Sequence, residues 1–494
     1  PPAMLHVRLN PIDHFPPGNY ATCCLYLQVK PDVTPAQAFA VLREGLLRTF
    51  RQVPWLSGKI YPMAEGSPGW RPGNLEIRYD PDRLDDAVGE RLRLNELPPA
   101  TAGGPSYEDL REQQFPTDAF PDEELIWAPP LPDVGEGAAC VVAQANFLPG
   151  GCLLCFGVNH YASDGSGAFT IWKLWADHCV ALQDSRAPPP VAPAPECSDR
   201  DVLRRIWDRE GTAKPREEID AASWAMLDLE PPGEDQRPGA AVAPSDAEES
   251  MTSAIFYFTP ASFASLLEGC ARDDDEEGRR VSSNDALCGL VWRCLLKARR
   301  AAALEAGRDL GGARSRLYLT LDARPEFSTA LPSPYLGNLS VMNRCSMALE
   351  ALAAPGGRGL GAVASRIRAV AGAAHTGALL DAFAVADGMA DLRDLTLRGS
   401  GVRGFDMLLA SLLTLPVDEV RFGGGVFGGG GDGDGRPDAF RPLMGGFNRF
   451  SRLCFVLPRR RHGGVEAIVN LFEREMEILL EDDEFGRYAM YLTS

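Results

Sequence analysis

The chain has 494 residues, 45% of them apolar, and a formal net charge of −19. That length exceeds one ordinary core and predicts two or more domains, and the apolar share excludes global disorder. A field of this sign repels phosphate backbones and anionic lipid, so nucleic acid and membrane surfaces are excluded as expected partners, and an anionic ligand must be met by local cations or backbone N–H groups.

Pro1 to Asn10 hold no basic segment leading into an apolar one, so no secretory signal is read there. No apolar run reaches the roughly 18 residues of a membrane span. Cys23 to Val29 is apolar and β-prone. Thr34-Pro35 then supplies an N-cap with proline at the first helical position, and Gln37 completes a capping box. Phe39, Leu42, Leu46 and Phe50 share one face of the helix that follows, and Pro54 ends it.

Ala138 to Ala145 and Cys152 to Val158 read as paired strands around Pro149-Gly150-Gly151. A helix from Ala168 to about Leu182 follows, with Phe169, Trp172, Trp175 and Cys179 toward the core. Arg186 to Pro195 is too proline-rich for helix or ladder, Val202 to Leu229 reads as mixed with some helix, and Pro231 to Glu249 is polar and aperiodic. Together, 186–250 reads as a surface crossover between an N-terminal unit, 1–185, and a C-terminal one, 251–494.

The second unit restarts with a strand, Thr252 to Thr259, then helices at Ser262 to Ala271 and Asn284 to Arg300. Strand-like runs recur at Arg316 to Leu321, Leu453 to Leu457 and Val465 to Leu471, the last followed by an acidic helix from about Glu473. Gly423 to Gly435 is a glycine-dominated loop. The fold class is therefore α/β, as two mixed units joined by a long crossover.

The 12 cysteines have no repeating spacing. Cys152 and Cys155 are spaced as CxxC inside an apolar run with no second pair or His cluster, so buried reduced thiols are the expectation, with no metal and a cytoplasmic, reducing location.

One of six histidines has an unusual address. His160 follows the strand Cys152 to Val158 and precedes the helix, on a loop reading Asn159-His160-Tyr161-Ala162-Ser163-Asp164-Gly165. An imidazole there is suited to accept a proton, an aspartate four residues on to order the loop, and Gly165 to permit a sharp turn or a close approach to a ligand. A structural histidine beside a turn-forming Asp-Gly is the alternative.

The segment resembles the HxxxDG motif of the plant and fungal BAHD-type acyltransferases, relatives of chloramphenicol acetyltransferase and of peptide-synthetase condensation domains. Further segments match in order: Leu9-Asn10-Pro11-Ile12-Asp13, Pro54-Trp55-Leu56-Ser57-Gly58, Ser282-Ser283-Asn284-Asp285-Ala286-Leu287 with Trp292-Arg293, and Leu321-Asp322-Ala323-Arg324 with Tyr335-Leu336-Gly337-Asn338. The trichothecene acetyltransferase-like fungal branch is the nearest resemblance.

The resemblance implies two chloramphenicol-acetyltransferase-like α/β domains, mixed sheets flanked by helices, joined by a long crossover loop. It implies an acyl-CoA donor, acetyl-CoA by default, a small alcohol acceptor, and a monomer with its site between two domains of one chain. His160 becomes the general base for direct attack on the thioester, and Asp164 a brace. Asn338 and backbone N–H groups near Gly423 become oxyanion donors, and Phe422, Gly423 and Gly424 line the acceptor side. Ser282, Ser283 and Asn284 offer donors for coenzyme A phosphates, with plain helix capping as the alternative. Transfer to an amine, or an inactive homologue kept as a binding protein, are the rival functions.

One departure stands out. Where the family has D-F-G-W-G this chain has Arg421-Phe422-Gly423-Gly424-Gly425, so the aspartate expected to pair with Arg324 is an arginine. Asp418 or Glu419 is the expected replacement, and the missing tryptophan suggests a wider or more mobile wall. Arg459-Arg460-Arg461 reads as a solvated turn rather than a phosphate site.

Overall fold

The computed structural model describes residues 4–98, 103–188, 190–233, 251–271, 280–354, 358–395, 402, 404–429 and 431–494. Three mixed or antiparallel sheets organise the chain. The strand Tyr20–Gln28 pairs antiparallel with Gly151–Asn159, which pairs with Val141–Leu148; Leu92–Glu96 joins that strand in parallel. The hairpin turns at Gly150, whose φ of +83° suits glycine. Leu5–Arg8, Leu75–Tyr79, Lys59–Pro62 and Ala138–Ala139 form a second, four-stranded sheet, so Ala138 and Ala139 do not extend the hairpin as expected.

Two helices cover the five-stranded sheet. Pro35–Gln52 is capped by Thr34, with both bonds of the capping box to Gln37 made. Gly165–Gln183 packs beside it so closely that a Cβ on Gly45 would lie 2.5 Å from Cys179 Sγ. Trp175 is buried there and donates its Nε1 hydrogen to the Leu42 carbonyl at 2.8 Å.

The C-terminal half builds a seven-stranded sheet in the order Ser340–Ala348, Arg314–Asp322, Met407–Ser411, Leu453–Val456, Val465–Leu471, Thr252–Phe258, Met490–Thr493. Its Arg314–Asp322, Met407–Ser411 and Leu453–Val456 strands run parallel, and Ser283–Glu305 packs against it. No single helix among the described residues is long and apolar enough to cross a membrane.

Two observations correct the simple division by residue number. The strand Ala439–Pro442 leaves the C-terminal half to pair with Tyr20–Gln28, Phe440 opposite Leu25. Within the expected crossover, Val191 is exposed, but Leu203, Ile206, Trp224 and Leu227 are buried in a core that also holds Ile12, Phe15 and Phe383. The amphipathic helix Val202–Glu210 puts Val202, Leu203 and Ile206 on one face, so burial of that face follows. Residues 234–250 of that crossover lie outside the described residues.

Candidate active site

The strand Gly151–Asn159 ends at the loop that carries His160, and Asp164 starts the next helix as its N-cap, accepting from Gly167 N–H at 3.1 Å. The tight glycine contact inside this loop is made by Gly167. A Cβ on Gly167 would lie 2.1 Å from Ser163 Oγ and 2.9 Å from the Leu336 carbonyl, whereas one on Gly165 meets nothing within 4 Å.

The loop is held from several sides. His160 N–H donates to the Asn19 carbonyl at 2.9 Å. The Asn338 side-chain amide donates to the His160 carbonyl at 2.8 Å, and Ser163 Oγ donates to the Leu336 carbonyl at 2.7 Å. Asn159, just before His160, is buried and structural: it donates to the Gly18 carbonyl and accepts from Tyr161 N–H.

Asp164 turns away from the imidazole. Its Oδ1 accepts from Arg324 Nη2 at 2.8 Å, and its Oδ2 accepts from Arg324 Nη1 at 3.0 Å, Leu339 N–H at 2.8 Å and Ser340 Oγ at 3.1 Å. Burial alone would raise its pKa, but Arg324 and the backbone donors hold it below the ordinary carboxylate value. A carboxylate so occupied cannot also serve as the third member of a triad.

For His160 burial is the largest influence and pushes its pKa down, opposed by the Asp164 charge and the Ser163 backbone. The ring is neutral near pH 7 as a result. Nδ1 is buried without a partner at hydrogen-bond geometry, and the residue itself is partly exposed, which leaves Nε2 as the nitrogen to face a ligand. His14, the other buried histidine nearby, is lowered to about 4 by burial and is saturated: Nδ1 faces the Asn10 carbonyl and Nε2 accepts from Leu75 N–H.

Several expected roles change. Asn338 is fully buried, and its amide hydrogens go to Asp13 and to the His160 and Tyr161 carbonyls, so it fixes the loop rather than offering a donor to an oxyanion. Arg324 finds its carboxylate in Asp164 and Asp322, so neither Asp418 nor Glu419 is needed, and no clash with Arg421 arises. Arg421 pairs with Asp434 inside the glycine loop itself.

That loop is not at the site. Phe422 is buried against Trp175 and Phe427, its carbonyl accepts from Gln183 Nε2, and Gly428 N–H donates to the Gln28 carbonyl. Gln183 ends the helix that Gly165 begins, and Gln28 ends the strand that Tyr20 begins. Nineteen helical residues put the anchor about 27 Å from the His160 end, and the strand gives about the same. Phe422, Gly423 and Gly424 therefore cannot line the acceptor side, nor can Gly423 N–H meet an oxyanion on His160. The loop is also pinned rather than loose, through Lys30 N–H to the Val426 carbonyl and Val426 N–H to Gln183 Oε1.

The Ser282–Asn284 segment lies against the end of the strand Met407–Ser411. Asn284 Oδ1 accepts from Ser411 Oγ at the carboxyl end of Met407–Ser411. The neighbouring parallel strand ends at Asp322, which accepts from Ser166 Oγ, six residues past His160. Ser282 makes a complete capping box with Asp285, and Arg368 donates to both. Sequence reasoning missed Arg368, Gly167 and Arg200; only Gly167, three residues after an N-cap aspartate, left a local signal. Among the described residues, one group of Cys, Asp and Glu brings ligand atoms together, Cys294, Asp482 and Glu484, and Lys297 pairs with both its carboxylates.

Two family models match. One, the trichothecene 3-O-acetyltransferase-like N-terminal domain, covers residues 20–179, and the other, the Transferase family, covers 136–485. An isocyanide synthase–NRPS hybrid, crmA, of Aspergillus fumigatus is 30% identical over 97% of this chain, which spans 31% of that protein's length. The eremophilane O-acetyltransferase ORF8 of Penicillium roqueforti is 25% identical, with 98% of each chain covered. The crystal structure of F. graminearum TRI101 complexed with coenzyme A and deoxynivalenol superposes with a TM-score of 0.75 at 21% identity, over 99% of this chain and 100% of that one. With more than two thirds of its length matched by one family model and the same two-domain architecture, the chain belongs to the Transferase family of BAHD-type acyltransferases.

Proposed function

We propose that this chain transfers an acyl group from coenzyme A to a hydroxyl of a small secondary metabolite, with His160 as the general base. The observation that carries the reading is the clamped loop itself: a neutral imidazole with Nε2 free, beside an aspartate committed to Arg324. Nε2 takes the acceptor proton as the hydroxyl oxygen attacks the thioester carbonyl. The tetrahedral intermediate then expels the coenzyme A sulfur, and the imidazolium returns the proton to it. No covalent enzyme intermediate is required, because proximity and a positioned base suffice for an activated thioester.

Relatives support the donor and acceptor classes. A structure of TRI101 holds coenzyme A with a small-molecule acceptor, and ORF8 is an eremophilane O-acetyltransferase. Acetyl is the donor group proposed, and Ser282, Ser283, Asn284 and Arg368 are proposed to face the coenzyme A phosphates. A monomer in a reducing, cytoplasmic compartment completes the proposal, since Asp13, His160, Arg324 and Asn338 come from one chain.

The test is calorimetric titration with acetyl-coenzyme A and coenzyme A, alongside free-thiol release with a panel of terpenoid and polyketide alcohols and matched amines. Binding with alcohol-dependent release is the expected result. Release with amines alone would select N-acylation, and binding without release an inactive homologue. No binding to several acyl-coenzyme A donors would overturn the reading in favour of a carrier-bound donor, as the hybrid relative would suggest.

A further inference from the structure

The loop is braced at its aspartate end by Arg324. Its histidine end is held by a second buried ion pair that the chemistry above does not use. Asp13 is fully buried and accepts from Arg200 Nη1 at 3.1 Å, Asn338 N–H at 3.0 Å, Asn338 Nδ2 at 3.0 Å and Asn10 N–H at 2.9 Å. Asn338 Nδ2 passes this hold to the His160 carbonyl at 2.8 Å. Arg200 Nη2 reaches the Ala162 carbonyl at 2.6 Å, two residues further on. One carboxylate thus organises the two donors that grip the backbone on either side of Tyr161.

Arg200 belongs to neither sheet-bearing half. It lies on the chain between them, just after the turn Pro195–Ser198. That segment is tied down by Leu336 N–H to the Cys197 carbonyl at 2.8 Å and by Trp55 Nε1 to Ser198 Oγ at 3.0 Å. The guanidinium sits 5.0 Å over the Trp55 ring, a contact suited to a planar cation. Gly337 makes room for it: a Cβ there would lie 2.3 Å from Arg200 Nη1. Four elements distant in sequence therefore converge on one guanidinium that is 2% exposed.

We infer that Arg200, paired with Asp13, is a positioning residue that sets the height of the His160 loop, so that the crossover segment is part of the catalytic apparatus rather than a tether. The inference rests on the reading of His160 as the base. Arg200 touches no reacting atom. It acts through the Ala162 carbonyl directly and through Asp13 and Asn338 on the His160 carbonyl. Loss of the cation leaves a buried carboxylate unpaired, so Arg200→Ala alone would confound folding with function.

The test uses three variants of the full chain: Arg200→Lys, Gly337→Ala, and the double Asp13→Asn with Arg200→Gln, which removes both charges together. Each is measured for thermal stability, for the rate at which diethyl pyrocarbonate modifies His160, and for kcat and KM with acetyl-coenzyme A and the best alcohol of the panel. In the variants that remain folded, His160 modification should quicken several-fold as the imidazole loses its enclosure. The value of kcat should fall by about 10²-fold, the loss that roughly 1 Å of misplacement can bring, with KM for acetyl-coenzyme A unchanged.

Unaltered His160 reactivity and unaltered kcat in a folded variant would overturn the inference. So would a loss confined to KM. Changed His160 reactivity in a protein whose wild type transfers no acyl group would leave the positioning role standing and remove the proposed function instead.

Discussion

Replacing Asp164 by asparagine tests whether that residue braces the fold or titrates in the reaction. The two oxygens together accept from Arg324 twice, and from Gly167, Leu339 and Ser340 once each. Whichever oxygen becomes an amide, at least two donors that faced an acceptor now face a donor. Breaking one partner of a buried ion pair costs about 3–5 kcal/mol. Asp322 Oδ1 still accepts from Arg324 Nη1 at 2.9 Å, which places the expectation at the lower end, about 3 kcal/mol. That is a large share of the roughly 5–15 kcal/mol that holds a protein folded. The pH dependence carries the same signature. Because Asp164 has a folded pKa below its unfolded one, its contribution is present above the unfolded value and disappears as pH falls through the folded value. Denaturant titrations of wild type and variant between neutral and acid pH should show a gap that narrows on acidification. A variant of wild-type stability with a shifted pH–rate profile would refute the brace.

Three further outcomes follow from the site. With the His160 pKa lowered by burial, transfer should fall only as pH drops below the ordinary imidazole value of about 6.5, because protonation removes the base; an apparent pKa above 6.5 in kcat/KM would contradict the burial argument. Arg421→Asp breaks a half-exposed pair with Asp434 at the distant loop, so it should cost no more than about 1 kcal/mol of stability. It should leave turnover unchanged, and a large gain in turnover would show that the loop reaches the site after all. Gly167→Ala must displace Ser163 Oγ and crowd the Leu336 carbonyl, costing about 1–3 kcal/mol, whereas Gly165→Ala should be tolerated; calorimetric melting of the pair distinguishes them.

What was legible in the sequence was local. The capping box of Thr34 satisfied its donors as read, Ser282 capped its helix, and the apolar runs became Tyr20–Gln28, Gly151–Asn159 and Val465–Leu471. The Asp164-Gly165 pair looked like a turn and proved to be a helix start, since an N-cap aspartate and a turn aspartate use the same side-chain bond to backbone N–H. Met407–Ser411 and Ala439–Pro442 went unrecognised because each is short and is completed by partners far away in sequence. Arg200 was hidden for the same reason: nothing near it in the chain announces Asp13 or Ala162. The motif D-F-G-W-G misled most. Its position was read as an acceptor wall, yet helix and strand lengths place it at the other end of the sheet.

The most direct test of the account is acyl transfer by His160→Ala, followed as acceptor-dependent thiol release from acetyl-coenzyme A, with circular dichroism and melting as controls. A positioned general base contributes about 10²–10⁴-fold, and a loss of that order in a normally folded variant is the predicted result. Transfer within a few-fold of wild type would contradict the assignment of His160 as the base.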